Sequence, residues 1–450
     1  MDQSFMAQKR ILPLVLKMSL PMVISMLVNS LYNIVDSFFV AGIGEDAMTA
    51  LSLVFPLQNL ANAVGVGFGV GVNAVVAFFL GAKKQQSADR AVFYGLIFSI
   101  VHGVVLFCAC FFSARAFLSL FTSSVAVTEY GLDYFYIVIA FSPVVTLSMC
   151  FEKIFQAVGR MKTTMACLLV GCVLNIILDP AFISGFWFIP AMGVRGAALA
   201  TGIGQTSSLL IYVVLFAVKP IGVRFGRVKM AGEGAILRKM YSVGVSAALN
   251  LALPSFMITA LNAMLAAYSQ SYVLILGAYY KLQTFIYFTA NGIVQGIRPL
   301  VGYNSGAGRN DRVRSILLLT LVLSVAIMAV GTVLCLAIPG NLIGLFTENP
   351  ETISLGAGAL RIICIGFIPS AVSVTVSGVL EGLGRGVPSL LISLVRNIAI
   401  IGIAALASLF LQSAGVWHAF WITEIVAALL SVLLYFVVIK RPALAERGQK

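Results

Sequence analysis

The sequence predicts an all-α membrane protein: twelve transmembrane helices in two six-helix lobes related by a pseudo-two-fold axis along the membrane normal. Composition, apolar run length and an internal repeat point to this class. Of 450 residues, 60% are hydrophobic and only 10% charged, against about 25% charged in soluble domains, and a water-soluble core cannot absorb that much apolar surface. The runs 94–112, 165–182 and 315–339 carry few or no charges and reach the roughly 20 residues that a helix needs to cross the hydrocarbon layer. A β-barrel would need shorter segments of strict alternation, which these continuous runs lack.

Taken in order, the expected spans are 12–38, 50–79, 91–113, 131–157, 164–187, 193–217, 241–268, 273–303, 313–337, 353–379, 387–411 and 416–439. They group as an N-lobe (1–218), a polar linker (219–239) and a C-lobe (240–450). No small-residue cleavage site follows the first apolar run, which continues as a full span, so the N-terminus is expected to be kept. Basic residues set the orientation. Placing the N-terminus in the cytoplasm puts most of the 29 Lys and Arg in inside segments, among them Lys9, Lys17, Lys83, Arg160, Arg227, Lys229, Arg312, Arg385, Arg441, Arg447 and Lys450. Only Arg115 and Arg195 fall outside, while outside loops such as 44–46 and 347–351 are mildly acidic. This is the positive-inside pattern for two cytoplasmic termini, and it accounts for the net charge of +13 without a nucleic-acid partner.

Shifting the chain by 225 residues aligns Gly67 with Gly292, Gly71 with Gly296, Gly81 with Gly306, Phe121 with Phe346 and Arg160 with Arg385. Near each half's end the shift becomes 222, where Gly193 meets Gly415 and Thr201 meets Thr423. Six spans per half is an even number, so both halves enter from the same side, the parallel kind of transporter repeat. Two such bundles face each other across a cleft, and rocking them would expose it to each side in turn.

A carboxylate inside a span is costly unless paired or hydrated. Asp36, Glu152 and Asp179 are such positions, and their repeat counterparts are not acidic: Glu152 meets Ser377, Asp179 meets Ala404, and Asp36 lies opposite apolar sequence around Leu265. The duplication does not demand these charges, which favours function over scaffolding. Asp36 sits near the outer end of the first span, Asp179 roughly 12 Å inside the outer end of the fifth at 1.5 Å per residue, and Thr201 about as deep in the sixth. Asn175 precedes Asp179 by one turn on the same face, and Pro180 withdraws a backbone donor beside it. Carboxylate, amide and hydroxyl oxygens suit a hard cation or a proton. Asp36, Asn175, Asp179 and Thr201 are therefore the expected site for a cation or a proton.

Glu152, with Gln156 one turn on, is a candidate contact for cationic substrate, against a plain pairing with Lys153. In the second half Glu381 and Arg298 read as interfacial side chains, and Lys281 and Arg396 sit deeper without an assigned partner. Aromatic residues make up 11% of the chain; most are expected to face lipid or pack, and those lining the cleft would offer cation–π contacts. The seven cysteines fall inside spans with no CxxC pair and read as small buried residues. His102 and His418 receive no chemistry.

Several segments together resemble the multidrug and toxic compound extrusion (MATE) transporters across nearly the whole chain. They are 31–36 (LYNIVD) with Gly42, 80–82 (LGA), 156–160 (QAVGR), 175–180 (NIILDP) and, most specific, 298–307 (RPLVGYNSGA). The resemblance implies twelve helices in two lobes and efflux of mostly cationic, amphipathic drugs driven by inward sodium or proton movement. It also implies that Asp36, Asn175, Asp179 and Thr201 form the coupling-ion site, and it leans towards a monomer in a bacterial or archaeal inner membrane. A related flippase for lipid-linked oligosaccharides shares the two-lobe plan but would want a basic cavity, which Lys281 and Arg396 keep under consideration. An embedded enzyme would need a nucleophile, a base or metal ligands gathered at one face, and no such constellation or phosphate-binding GxxxxGK[ST] loop occurs. Transport is thus expected to be secondary, with no cofactor.

Overall fold

A computed structural model describes residues 3–186, 190–219, 221–225 and 233–440. Arg227, Lys229, Arg441, Arg447 and Lys450 lie outside the described residues. Among the described residues the chain is helical, without a β-strand. The spans are α1 (Ile11–Ala41), α2 (Glu45–Gly81), α3 (Gln85–Ser119), α4 (Val125–Ala140 then Ser142–Ala157), α5 (Met161–Ile183) and α6 (Val194–Val218) in the first lobe. The second lobe holds α7 (Glu233–Ala266), α8 (Gln270–Gly306), α9 (Asn310–Ala337), α10 (Pro350–Ile363 then Phe367–Gly382), α11 (Gly386–Leu394 then Ile400–Leu411) and α12 (Ser413–Lys440). One-turn helices at Phe5–Gln8 and Pro339–Gly344 lie outside this set.

Eleven of the twelve are long and apolar enough to span a membrane, counting α4 as one bent helix. The exception is α8, which carries Lys281, Gln283, Gln295 and Arg298. It crosses because it is largely enclosed, packing against α1, α2, α9 and α10, so that most of its polar groups meet protein, Lys281 being exposed. Helix 4 of each lobe is interrupted at one repeat position. A 49° bend at Phe141 breaks α4, and 225 residues on, a 3-10 turn at Cys364–Gly366 joins the parts of α10. Several boundaries depart from the sequence expectation by four residues or more; α3 runs Gln85–Ser119 rather than 91–113 and α4 begins at Val125 rather than 131. Ser184 and the left-handed Gly185 (φ 80°) stop α5 at Ile183 instead of 187, and α7 begins at Glu233, within the stretch read as linker.

The lobes touch through α1 and α2 on one side and α8 and α7 on the other, at positions where glycine lets backbones meet. A Cβ on Gly81 would overlap the carbonyl of Tyr303, and one on Gly306 the carbonyl of Phe78. Likewise Gly67 abuts Ala248 while Gly292 abuts Val23, and Gly71 abuts Gly244 while Gly296 abuts Ser19. Every pair maps onto its mate by the shift of 225. Such reciprocal contacts are what a two-fold interface requires, and they explain why these glycines carried the repeat.

All six glycines lie towards the face that bears the N-terminus, and there the lobes are shut. A strap completes the seal: Asn304 Nδ2 donates to Met6 O (3.1 Å), Arg309 Nη1 to Ala7 O (2.8 Å) and Arg312 Nη2 to Lys9 O (2.7 Å). Gln3 Nε2 donates to Ile221 O at 3.2 Å, tying the same segment to the connection between the lobes. His102, given no role from sequence, bridges the lobes to the Tyr241 hydroxyl at 3.0 Å. Towards the opposite face the packing opens. Asn59 and Ser255 meet at 3.4 Å in an exposed contact, and Phe55, Phe256 and Phe285 are 61%, 67% and 51% exposed. Six cysteines are buried as expected, but Cys108 is exposed on α3 because it faces away from the bundle.

Gly81→Val forces its side chain against Tyr303 backbone, a strain of about 1–3 kcal/mol for overpacking, and should wedge the seal open. In a background carrying Cys108→Ala, which removes the exposed thiol, and Ala77→Cys, a buried position packed near Gly302, a water-soluble maleimide should label the Gly81→Val protein and leave the protein with Gly81 intact unlabelled.

Candidate functional site

The spacing of Asn175 and Asp179, one helical turn apart on α5, turns both inward, where they are 2% and 0% exposed. Asn175 Nδ2 donates to Asp179 Oδ1 at 3.2 Å and to Thr201 Oγ1 of α6 at 3.3 Å. The Thr201 hydroxyl also lies 3.3 Å from the Tyr32 hydroxyl of α1. Tyr32 stands one turn before Asp36, repeating the spacing of the α5 pair. Asp36 lies close enough to Asp179 for the carboxylates to act on each other, and both act on the Tyr32 and Tyr134 rings. Tyr134 of α4 and Gln58 of α2 lie at the edge of this group.

Asn175, Asp179 and Thr201 thus meet in one polar chamber of the first lobe, with Asp36 of α1 within electrostatic range of Asp179. Tyr32, Tyr134 and Gln58 were not anticipated, although the four-residue step from Tyr32 to Asp36 was available as a signal. The depth of Asp179 differs from the expectation. With α5 ending at Ile183, Asp179 is only roughly 6 Å from the helix end. It is sealed instead by the returning chain, where Met192 N donates to Phe182 O (2.9 Å) and Gly193 N to Ile183 O (3.2 Å).

Three oxygens in this chamber, Asp36 Oδ1, Asn175 Oδ1 and Asp179 Oδ2, are buried and lack a hydrogen-bond partner among the described residues. Buried polar atoms are normally satisfied, and these three with two hydroxyls form an all-oxygen donor set that fits a hard cation or a proton. No group of three or more His, Cys, Asp or Glu side chains suited to a metal occurs among the described residues.

Glu152 and Gln156 form a separate network on the second segment of α4. Glu152 Oε1 accepts from Lys153 Nζ (2.8 Å) and Gln156 Nε2 (2.7 Å), and Lys153 also reaches Gln295 Oε1 of the other lobe at 3.2 Å. Glu152 retains 21% side-chain exposure. The second lobe carries a related network with its charges at other positions. By the shift of 225, Glu152 becomes Ser377, Gln156 becomes Glu381 and Asn73 becomes Arg298, and Arg298 Nη2 lies 2.7 Å from Glu381 Oε2. Glu381 is 2% exposed and also accepts from Asn250 (2.9 Å) and Ser389 (3.1 Å). The reading of Glu381 and Arg298 as interfacial side chains is therefore corrected: they are a buried ion pair, since burial of the glutamate demands a counter-charge. Arg396 is paired too, its Nη2 lying 2.7 Å from Glu424 Oε1. Lys281 is exposed, with Nζ 5.7 Å from the Phe346 ring centroid.

The MatE family model matches the chain twice, at residues 21–181 and 246–406, two blocks separated by the same 225 residues as the glycine repeat. The multidrug export protein MepA of Staphylococcus aureus (strain MRSA252) is 26% identical over 428 residues, covering 93% of this chain and 92% of that protein. MepA of Staphylococcus haemolyticus (strain JCSC1435) is 24% identical over 419 residues with the same coverage. Among solved structures, an outward-facing multidrug resistance MATE family transporter superposes with a TM-score of 0.90 at 23% identity, 98% of each chain covered. A transporter of the MOP superfamily from Pyrococcus furiosus, described as having a binding pocket of reverse polarity, superposes with a TM-score of 0.91 at 22% identity and the same coverage. With the repeat, the twelve-helix two-lobe architecture and these matches in agreement, the chain belongs to the MatE family of multidrug efflux transporters and is a multi-pass membrane protein, not an enzyme.

Proposed function

We propose that the chain is a secondary antiporter that exports amphipathic, mostly cationic compounds, driven by Na+ or H+ lodged among Asp36, Asn175, Asp179 and Thr201. The observation that carries this reading is the trio of unpartnered buried oxygens around two mutually repelling carboxylates. An empty chamber keeps two like charges close in a poorly hydrated site, and one cation or proton relieves that repulsion. Helix α1 links the chamber to the lobe seal: Asp36 is near one end, and Ser19, whose Oγ donates to Ile293 O at 3.2 Å, is near the other. Neutralising the chamber therefore bears on the helix that also closes the lobes, which is a route for ion binding to bias alternating access.

The positive-inside pattern supports placing the sealed face and both termini in the cytoplasm of a bacterial or archaeal cell, with the protein acting in the inner membrane as a monomer. The open side of the cleft then faces outward. Glu152, with its exposed fraction, is the proposed contact for a cationic substrate, and Gln156 holds that carboxylate in place. The lipid-linked oligosaccharide flippase is not favoured. Its diphosphate would need a cluster of unneutralised deep cations, whereas Lys153, Arg298 and Arg396 each lie against a glutamate and Lys281 is exposed beside Phe346.

Asp36→Asn and Asp179→Asn should each abolish ion-driven dye efflux from proteoliposomes while the protein still folds; efflux at the parental rate under imposed sodium and proton gradients would refute the ion site. Applying the two gradients separately identifies the driving ion. Thr201→Val removes the hydroxyl shared by Tyr32 and Asn175, leaving a buried phenol without its partner, a loss of about 1–3 kcal/mol. Thermal unfolding should show that destabilisation, and the ion concentration for half-maximal transport should rise by about tenfold.

A further inference from the structure

The second lobe holds a buried charged centre that the cycle above does not use. Arg396 lies in a π-helical turn, Val395–Ala399, within α11, and such turns gather at functional sites. Its Nε contacts Glu424 Oε1 and Oε2 on α12 at 3.1 and 3.0 Å, and its Nη2 contacts Oε1 at 2.7 Å. The guanidinium stands 5.9 Å from the Tyr287 ring centroid on α8, and Ser373 of α10 donates to Glu424 Oε2 at 3.3 Å. Tyr279 and Tyr280 lie within electrostatic range of the pair, and the Tyr280 hydroxyl is buried with no hydrogen-bond partner among the described residues. Four helices thus converge on two side chains that keep 22% and 16% exposure.

The fold does not require these charges. Arg396 corresponds by the shift of 225 to Gly171, which sits against the Gly204 backbone, and Glu424 corresponds by 222 to Gly202, which sits against the Phe141 ring. A buried ion pair adds little stability over apolar residues of equal volume, so stability does not explain its presence.

We propose that the Arg396–Glu424 pair is a binding site for zwitterionic aromatic amphiphiles. The ligand carboxylate takes the Arg396 fork, its ammonium takes Glu424, and its ring system lies against Tyr280 and Tyr287. Only a zwitterion replaces both partners when the pair opens. A monocation leaves Arg396 buried and unpaired, and a monoanion does the same to Glu424. The assignment deepens the export reading by naming a substrate class, and binding tests it without transport, so its failure would leave the ion site to stand or fall on the efflux measurements.

Three probes share one dansyl group: Nε-dansyl-lysine, its methyl ester and its Nα-acetyl derivative, respectively zwitterion, cation and anion. Titrated by fluorescence into the purified protein, the zwitterion should bind about tenfold tighter than either relative, and Arg396→Gln with Glu424→Gln should erase the preference. Should the double glutamine protein not fold, Arg396→Met with Glu424→Leu replaces the pair by apolar side chains of similar volume and is read the same way. Equal affinity of the wild-type protein for all three probes, or a preference that survives in either double variant, overturns the site.

Discussion

Two helices can touch backbone to backbone only where neither carries a side chain, and that constraint fixes the relation between the lobes. The contacts of Gly81 with Tyr303 and of Gly306 with Phe78 are one contact seen twice about an axis. From it follow the register of α2 and α8, the closed face, and the cleft on the other side. Small residues serve here because lipid gives helices no hydrophobic reason to associate, so close van der Waals approach must hold them.

The two lobes share a backbone plan and diverge in where charge is buried. The first keeps two carboxylates without a basic partner in its chamber, whereas Arg298 with Glu381 and Arg396 with Glu424 give the second a neutral interior. The networks at Glu152 and Glu381 show how a duplication drifts: the carboxylate has moved one turn, from the position of Glu152 to that of Gln156, and its cationic partner comes from a different helix. An excess of negative charge in one lobe and balance in the other assigns them different work.

Much of this was legible in the sequence, for identifiable reasons. Span number and type follow from run length, and the repeat was readable because close backbone approach tolerates only glycine, so Gly67, Gly71 and Gly81 persist in both halves. Asp36, Asn175, Asp179 and Thr201 stood out because polar residues within apolar runs are conspicuous. Partners were not legible. The pairing of Arg298 with Glu381 joins α8 to α10, and that of Arg396 with Glu424 joins α11 to α12, and no periodicity encodes which helices become neighbours. Tyr32 and Tyr134 were hidden because a tyrosine in a membrane helix is equally at home in packing or at the lipid boundary. The end of α5 was missed because apolar residues continue past Gly185, and hydropathy does not register a left-handed turn.

The strap formed by Phe5–Gln8 and its flanks has a kinetic meaning. Its carbonyls at Met6, Ala7 and Lys9 are held by Asn304, Arg309 and Arg312, so the lobes cannot part on that face until these bonds yield together. Each is worth only about 0.5–3 kcal/mol net, the two arginine bonds at the upper end, too little to lock the molecule. Broken as a group, they add their combined cost to the barrier for parting the lobes on that face.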